Sequence, residues 1–213
     1  MTENKETNYV FTNDWFLNTA KPVWEQLLPQ IKPQRILEIG SFEGASACYL
    51  IDKLACRQNI ELHCIDTWEG GVEHVETGIN MTAVEKRFDF NINIALNRAN
   101  HTVTFHKHKG YSDLILAKLI SDPHIPRAFD FIYIDGSHQA PDVLADAILA
   151  FRMLRVGGIM AFDDYLWFEH LPYGKDPIRS PKIAIDAFTN IYSRKLNILS
   201  APLYQLYIQK IAD

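Results

Sequence analysis

The sequence predicts an α/β fold: one doubly wound sheet, mostly parallel, with an antiparallel edge strand near the C-terminus. Three observations carry this. Short, nearly uninterrupted apolar runs such as RILEIG (35–40), ELHCID (61–66) and AFDFIYID (128–135) alternate with longer segments whose apolar residues recur at helical spacing. Continuous apolar strands suit a parallel sheet covered by helices on both faces better than a half-exposed one. The chain has 213 residues, 47% of them hydrophobic, enough for one compact domain with a full core.

In chain order, residues 1–12 are polar and expected to be loosely held. Residues 14–30 read as helix, with Pro22 either kinking it or starting a second one. RILEIG is the first strand, broken by Gly40. Residues 44–58 follow as helix, with Ala47, Leu50, Ile51, Leu54 and Ala55 on one face. ELHCID is the second strand. Residues 70–100 read as helical in part, against the grain of their asparagines. TVTFHKHKG (102–110) is the third strand and YSDLILAKLI (111–120) a helix. AFDFIYID is the fourth strand. APDVLADAILAFRMLR (140–155) is a strong helix, with Pro141 near its start and Gly157-Gly158 just past its end. GIMAFDD (158–164) is the fifth strand. A Pro-rich loop (165–181) leads to a helix at 182–194. KLNILSAP (195–202) and LYQLYIQKI (203–211) are two short strands with no helix between them, which favours antiparallel pairing at one edge. No repeat or flexible linker divides the chain, so 1–213 reads as a single domain, with 69–98 and 165–182 as lids over a ligand crevice.

Composition excludes several classes. A net charge of −5 argues against a grip on nucleic acid built on phosphate neutralisation. The start MTENKETNYVF lacks a basic stretch followed by an apolar run, and no segment approaches 18 uninterrupted apolar residues. A cytoplasmic protein with no membrane partner is expected. Cys48, Cys56 and Cys64 are odd in number and at no metal-ligand spacing, so they read as reduced thiols.

In sheets of this kind ligands bind at the carboxyl ends of the strands, near the switch in strand order. The first strand ends as Glu38-Ile39-Gly40-Ser41-Phe42-Glu43-Gly44-Ala45-Ser46. Its Gly-x-x-x-Gly spacing differs from the Gly-x-Gly-x-x-Gly that seats a pyrophosphate, which disfavours a nicotinamide dinucleotide. The second strand ends at Asp66, followed by Thr67-Trp68-Glu69-Gly70-Gly71. An acid there can accept both hydroxyls of a ribose, and Trp68 can pack on a base or shape the pocket. Together these favour a nucleoside ligand. The fourth strand runs into Asp135-Gly136-Ser137-His138, a carboxylate and an imidazole three residues apart. The fifth ends in Asp163-Asp164. Carboxylates gathered at adjacent strand ends, about 4.8 Å apart, repel one another, and a hard divalent cation relieves that.

On ILEIGSFEGAS, CIDTWEGG, HKGYSDLILAKL, FDFIYIDGSH and LRVGGIMAFDDY, in this order over roughly residues 33–168, the chain resembles class I S-adenosylmethionine-dependent methyltransferases. The resemblance implies a single-domain, Rossmann-like fold. It implies that Glu38, Gly40 and Gly44 border the methionine part of S-adenosylmethionine, that Asp66 holds the ribose, and that Gly110, Tyr111 and Ser112 lie near the adenine. Ser41, Phe42, Ser46, Thr67, Trp68 and Asp135 complete the implied cofactor-binding set. More particularly, the chain is similar to metal-dependent O-methyltransferases of the catechol and antibiotic-sugar types. That similarity implies Mg²⁺ at Asp135, Asp163 and Asp164, with Asp135 and His138 as catalytic residues and His138 the general base of an Asp-x-x-His motif.

The reaction implied is methylation of a hydroxyl on a small molecule such as a sugar, diol or catechol. A homodimer is the family-level expectation. Trp167, Phe168, His170, Tyr173, Lys175 and Arg179 give the second lid aromatic and cationic surface. Two alternatives stay open: a metal-independent N- or O-methyltransferase, and a cofactor-binding protein without activity. The remaining histidines, His63, His74, His101, His106, His108, His124 and His170, show no ligand spacing, and His106 and His108 alternate as one strand face.

Overall fold

The computed structural model describes residues 8–71, 78–125 and 128–213. Seven strands form one sheet: β1 (Arg35–Ile39), β2 (Ile60–Asp66), β3 (Val103–Lys109), β4 (Phe129–Ile134), β5 (Leu154–Phe162), β6 (Leu196–Leu199) and β7 (Leu206–Lys210). Their order is β3-β2-β1-β4-β5-β7-β6. The first five run parallel; β7 pairs antiparallel with both β5 and β6. The last two strands thus pair antiparallel as the missing helix between them implies, with β7 one place in from the edge. The order reverses at β1, which pairs with β2 on one side and β4 on the other. The crevice opens at that point.

Helices cover both faces. On one lie α1 (Trp15–Asn18), α2 (Ala20–Ile31), α3 (Ala45–Leu54) and α4 (Met81–Arg98), contributing Trp24, Leu28, Leu50, Phe88 and Ile92 to a single core cluster. On the other, α5 (Ser112–Ser121), α6 (Ala140–Met153) and α7 (Pro181–Ile191) supply Leu116, Val143, Phe151, Ile185 and Phe188. Trp24 anchors the first layer. It is fully buried, lies edge-on to Phe131 and Tyr133 with ring centroids 5.2 and 4.8 Å away, and donates its indole N–H to the Tyr207 hydroxyl at 3.1 Å.

Several local expectations are revised. Pro22 starts a helix rather than kinking one, because α2 begins at Ala20 and Pro tolerates the first turn. The Gly157-Gly158 pair lies inside β5, which begins directly after α6. There the register slips from Phe129↔Leu154 to Phe131↔Ile159, and Gly157 takes a φ of +82° that suits glycine. Segment 81–98 is not a lid but a continuous helix whose Val84, Phe88, Ile92 and Ala95 enter the core. Its awkward Asn91 is fully buried for a reason. It accepts the Val10 N–H at 2.7 Å and donates to the carbonyls of Val10 and Glu43 at 2.9 and 3.0 Å.

That contact overturns the expected looseness of residues 8–12. Tyr9 also bonds Asp52 at 2.9 Å, and the Thr12 N–H bonds Glu43 at 2.7 Å. The rest of the N-terminal segment (1–7), and the part of the first lid at 72–77 that contains His74, lie outside the described residues. Among the described residues, no helix is long and apolar enough to cross a membrane.

Candidate functional site

A cavity of about 590 Å³ opens at the carboxyl ends of β1, β2, β3 and β4. Gly40, Phe42, Asp66, Thr67, Gly110, Tyr111, Ser112 and Asp135 all line it, as does His138. These are the expected cofactor-side residues that the fold brings together. Gly40 makes the closure possible. Its φ is +86°, and a Cβ placed on it would sit 1.8 Å from the Asp135 carbonyl oxygen, so the β1 turn can meet the β4 turn this closely only without a side chain.

Five expected residues stand behind the wall instead of on it. Glu38 is fully buried. It accepts the Ser41 hydroxyl at 2.6 Å and the Ser46 hydroxyl, with the Cys64 thiol 3.4 Å away. Burial pushes its carboxyl up, and the Ser41 and Ser46 bonds oppose that. It braces the β1 turn from within. Ser41 and Ser46 are buried with it. Gly44 packs where a Cβ would meet the Phe88 ring at 3.0 Å. Trp68 is 3% exposed. Its ring lies against Phe88 at 4.7 Å and its N–H donates to the Phe42 carbonyl at 2.9 Å, so it holds the β1 turn from beneath.

Asp66 is more committed than its position suggests. One oxygen accepts the N–H groups of Ser41 and Phe42 at 2.9 and 2.8 Å, and the other that of Trp68 at 2.7 Å. A carboxylate has about four lone-pair sites, so one is left for a ribose hydroxyl rather than two. Phe42 and Trp68 both take positive φ, 45° and 49°. The Asp66 bonds to their N–H groups hold these strained turns in place.

A second, smaller void of about 10 Å³ lies among Asp135, His138, Asp163 and Asp164, next to the main cavity. It is about the size of one water or one ion. Ligand atoms of Asp135, His138 and Asp164 all fall within 4.8 Å of one another. Asp163, the expected third metal carboxylate, is not in that group. One of its oxygens accepts Gln205 Nε2 at 3.0 Å and the Asp164 N–H at 2.9 Å; the other accepts the Tyr133 hydroxyl. Gln205 and Tyr133 are apolar-strand neighbours whose polar atoms only the β4–β5–β7 pairing brings to this corner.

His138 replaces Asp163 in the group. Its Nε2 lies 2.9 Å from Asp164 Oδ2, and its ring packs on Trp167 with centroids 4.2 Å apart. Trp167 belongs to the 165–182 segment, which thus touches the His138 ring. Asp164 takes a φ of +54°, held by the bond from its own N–H to Asp163. This turns its carboxylate toward the imidazole.

Burial, then repulsion from Asp163 and Asp164, raises the Asp135 carboxyl well above the carboxylate range, and burial followed by Asp164 raises Asp163. Tyr133 Oη sits 3.0 Å from Asp135 Oδ2 while it also meets Asp163. One hydroxyl proton cannot serve both acceptors, so this corner favours a further proton or a cation between its carboxyls. No Lys or Arg among the described residues is ion-paired to Asp135, Asp163 or Asp164. The donors are hard oxygens and an imidazole. Such a set has the chemistry to hold a divalent cation.

Sequence reasoning missed Asp146. It sits on α6, is 2% exposed, and lines the cavity. The signal was present: Asp146 falls among Val143, Ala147 and Ala150 on the helix face that packs the core.

A family model described as a methyltransferase domain matches residues 37–165, more than half of the chain. Among solved structures, an O-methyltransferase from Bacillus cereus in complex with S-adenosylhomocysteine aligns over 91% of this chain and 81% of its own, with a TM-score of 0.63 and 18% identity. The O-methyltransferase TomG from Streptomyces achromogenes, involved in tomaymycin synthesis and in complex with S-adenosylmethionine, aligns over 90% of this chain and 78% of its own, with a TM-score of 0.60 and 17% identity. At these identities the likeness shows the fold. An uncharacterized protein of Acanthamoeba polyphaga mimivirus is 26% identical over 159 residues, covering 74% of this chain and 62% of the viral one. The chain thus spans less than two thirds of that relative's length.

Proposed function

The chain belongs to the methyltransferase-domain family, and from that premise we propose that it transfers the methyl group of S-adenosylmethionine to a hydroxyl of a small molecule, with Mg²⁺ held by Asp135 and Asp164. One observation carries the reading: a nucleoside-sized cavity runs directly into a carboxylate–imidazole pair at the tip of β4.

The chain's own residues divide the work. The Gly40 turn lets the cofactor approach the backbone closely. Asp66 offers its remaining lone pair to the ribose, and Ser112 starts α5 at the adenine end of the cavity. The methyl group of a sulfonium is already activated, so positioning matters most; good alignment supplies roughly 7–11 kcal/mol. An alcohol or phenol is a poor nucleophile until it loses its proton, and an imidazole titrates near neutrality. His138 takes that proton at Nδ1, since Nε2 faces Asp164; Nδ1 is buried, so the acceptor must displace part of its cover. Asp164 fixes the ring through Nε2 and stabilises the imidazolium that results. Trp167 covers the ring and keeps water out. When bound, the cation lowers the acceptor hydroxyl's pKa and orients its oxygen. A vicinal diol or catechol would meet such an ion with two oxygens.

A second reading rests on a specific observation. Asp163 already accepts three hydrogen bonds, from Tyr133, Gln205 and Asp164, and Asp164 already serves His138. The His138–Asp164 pair could therefore act without metal.

The test is transfer from labelled S-adenosylmethionine to a panel of catechols, diols and sugars, with and without EDTA. We expect Mg²⁺-restorable loss in EDTA, and a fall of about 10²–10⁴-fold in turnover for His138→Gln with little change in cofactor affinity. Full turnover in EDTA selects the second reading. Methyl transfer to nitrogen alone overturns both.

A further inference from the structure

Remote from the catalytic corner, the parallel pairing of β2 with edge strand β3 assembles a cluster that no spacing in the sequence reveals. Glu61 and His63 lie two apart on β2, and His106 and His108 two apart on β3, so each pair shares a face. Register sets His63 beside His106. The His63 and His106 rings stack with centroids 4.2 Å apart, and the His63 and His108 rings are 5.2 Å apart. His63 Nε2 lies 2.8 Å from Glu61 Oε1, and His106 Nε2 lies 4.0 Å from the same oxygen. One ligand atom from each of Glu61, His63 and His106 falls within 4.8 Å of the others.

We propose that Glu61, His63 and His106 form a site for a zinc-like divalent ion, distinct from the catalytic corner, with water as the fourth ligand and His108 as the partner that orients His63. The set of two imidazoles and one carboxylate is a zinc-ligand set with an open position. At Zn–N and Zn–O distances of about 2.0–2.1 Å, tetrahedral ligand atoms stand about 3.4 Å apart. The observed separations of 2.8 and 4.0 Å bracket that value, so small side-chain shifts complete the site.

The surroundings supply what such a site needs. His63 Nδ1 lies 3.0 Å from His108 Nε2. With His63 bound to metal through Nε2, its ring proton sits on Nδ1 and is donated to His108, the usual second contact of a metal-bound imidazole. Arg35 grips Glu61 chiefly through Oε2, at 2.8 Å from Nε, with a longer Nη2 contact of 3.2 Å to Oε1. It fixes the carboxylate but adds one positive charge against the ion. Lys118 adds a weaker positive field at His108. The ion would clip β3, whose outer edge has no strand partner among the described residues, to β2.

This inference is independent of the methyl-transfer reading. The test is calorimetric titration of the chelator-stripped protein with Zn²⁺, backed by Co²⁺ absorption. Asp135→Ala controls for the catalytic corner. We expect one Zn²⁺ site that persists in Asp135→Ala, weakens at least about tenfold in His106→Ala, and weakens about 10–100-fold in His108→Ala. Zn²⁺ should raise the thermal midpoint of the wild type but not of His106→Ala, whose replaced side chain is 41% exposed and so leaves the fold intact. Wild-type Zn²⁺ affinity in His106→Ala, loss of the site in Asp135→Ala, or no binding at micromolar Zn²⁺ would each overturn the proposal.

Discussion

Replacing Asp146 with Asn should stabilise the protein, and only above mildly acidic pH. Asp146 sits where α6 meets the cavity, 2% exposed, and among the described residues its Oδ1 has no hydrogen-bond partner. Burial raises its carboxyl from 3.8 to about 7. A bond from Ser112 works against that, and the charges of Asp142 and Asp113 add to it. In the unfolded chain the group loses its proton near 3.8; in the folded chain it keeps it until about 7. Between those values the folded state binds more protons, so wild-type stability falls as pH rises, by about 1.4 kcal/mol per unit.

Over the whole window this amounts to roughly 4 kcal/mol, and between pH 5 and 7 to roughly 2–3 kcal/mol. Asn keeps the shape and carries no titration. Urea unfolding of both proteins at pH 5, 6, 7 and 8 measures the difference. We expect the variant's advantage to grow by roughly 2–3 kcal/mol from pH 5 to 7 and to level off above the folded-state value. A difference that stays constant across this range would show that the carboxyl is not held protonated by burial, and the reasoning would fail.

Three further outcomes follow. Gly40→Ala should abolish binding of S-adenosylhomocysteine by calorimetry, because its Cβ cannot coexist with the Asp135 carbonyl 1.8 Å away; near-native affinity would mean that the two turns can part without harm. Asp164→Asn should lower methyl-transfer turnover by at least about tenfold while leaving cofactor affinity within a few-fold, because it removes the charge that steadies His138; unchanged turnover would remove Asp164 from the mechanism. Trp24→Ala should cost about 3–5 kcal/mol in urea unfolding, since it empties a fully buried site against Phe131 and Tyr133; a loss under about 1 kcal/mol would show that the layer repacks around it.

The strands and their tips were legible because continuous apolar runs are interrupted by a few glycines and acids. That pattern placed Gly40, Asp66, Asp135 and His138 at one crevice before any coordinates. What stayed hidden depends on pairing across the sheet. Asp163 reads as a ligand until Gln205, just before β7, and Tyr133 on β4 bond its oxygens. His138 reads as a lone base until Asp164, turned by its positive φ, meets it. His63 and His106 are 43 positions apart and become neighbours only through strand register. Residue type misled where helix period did not: Asp146 and Asn91 are polar, yet each falls on the core face of its helix and is buried there.

The central claim is that the cavity at the β1–β4 switch holds the nucleoside and presents its sulfur to Asp135 and His138. A crystal structure with S-adenosylhomocysteine and Mg²⁺ tests it most directly. We predict the ribose within hydrogen-bond distance of Asp66, the base between Ser112 and α6, and the sulfur facing the Asp135–His138–Asp164 corner. A ligand seated elsewhere on the molecule, or a cavity that stays empty at saturating ligand, would contradict it.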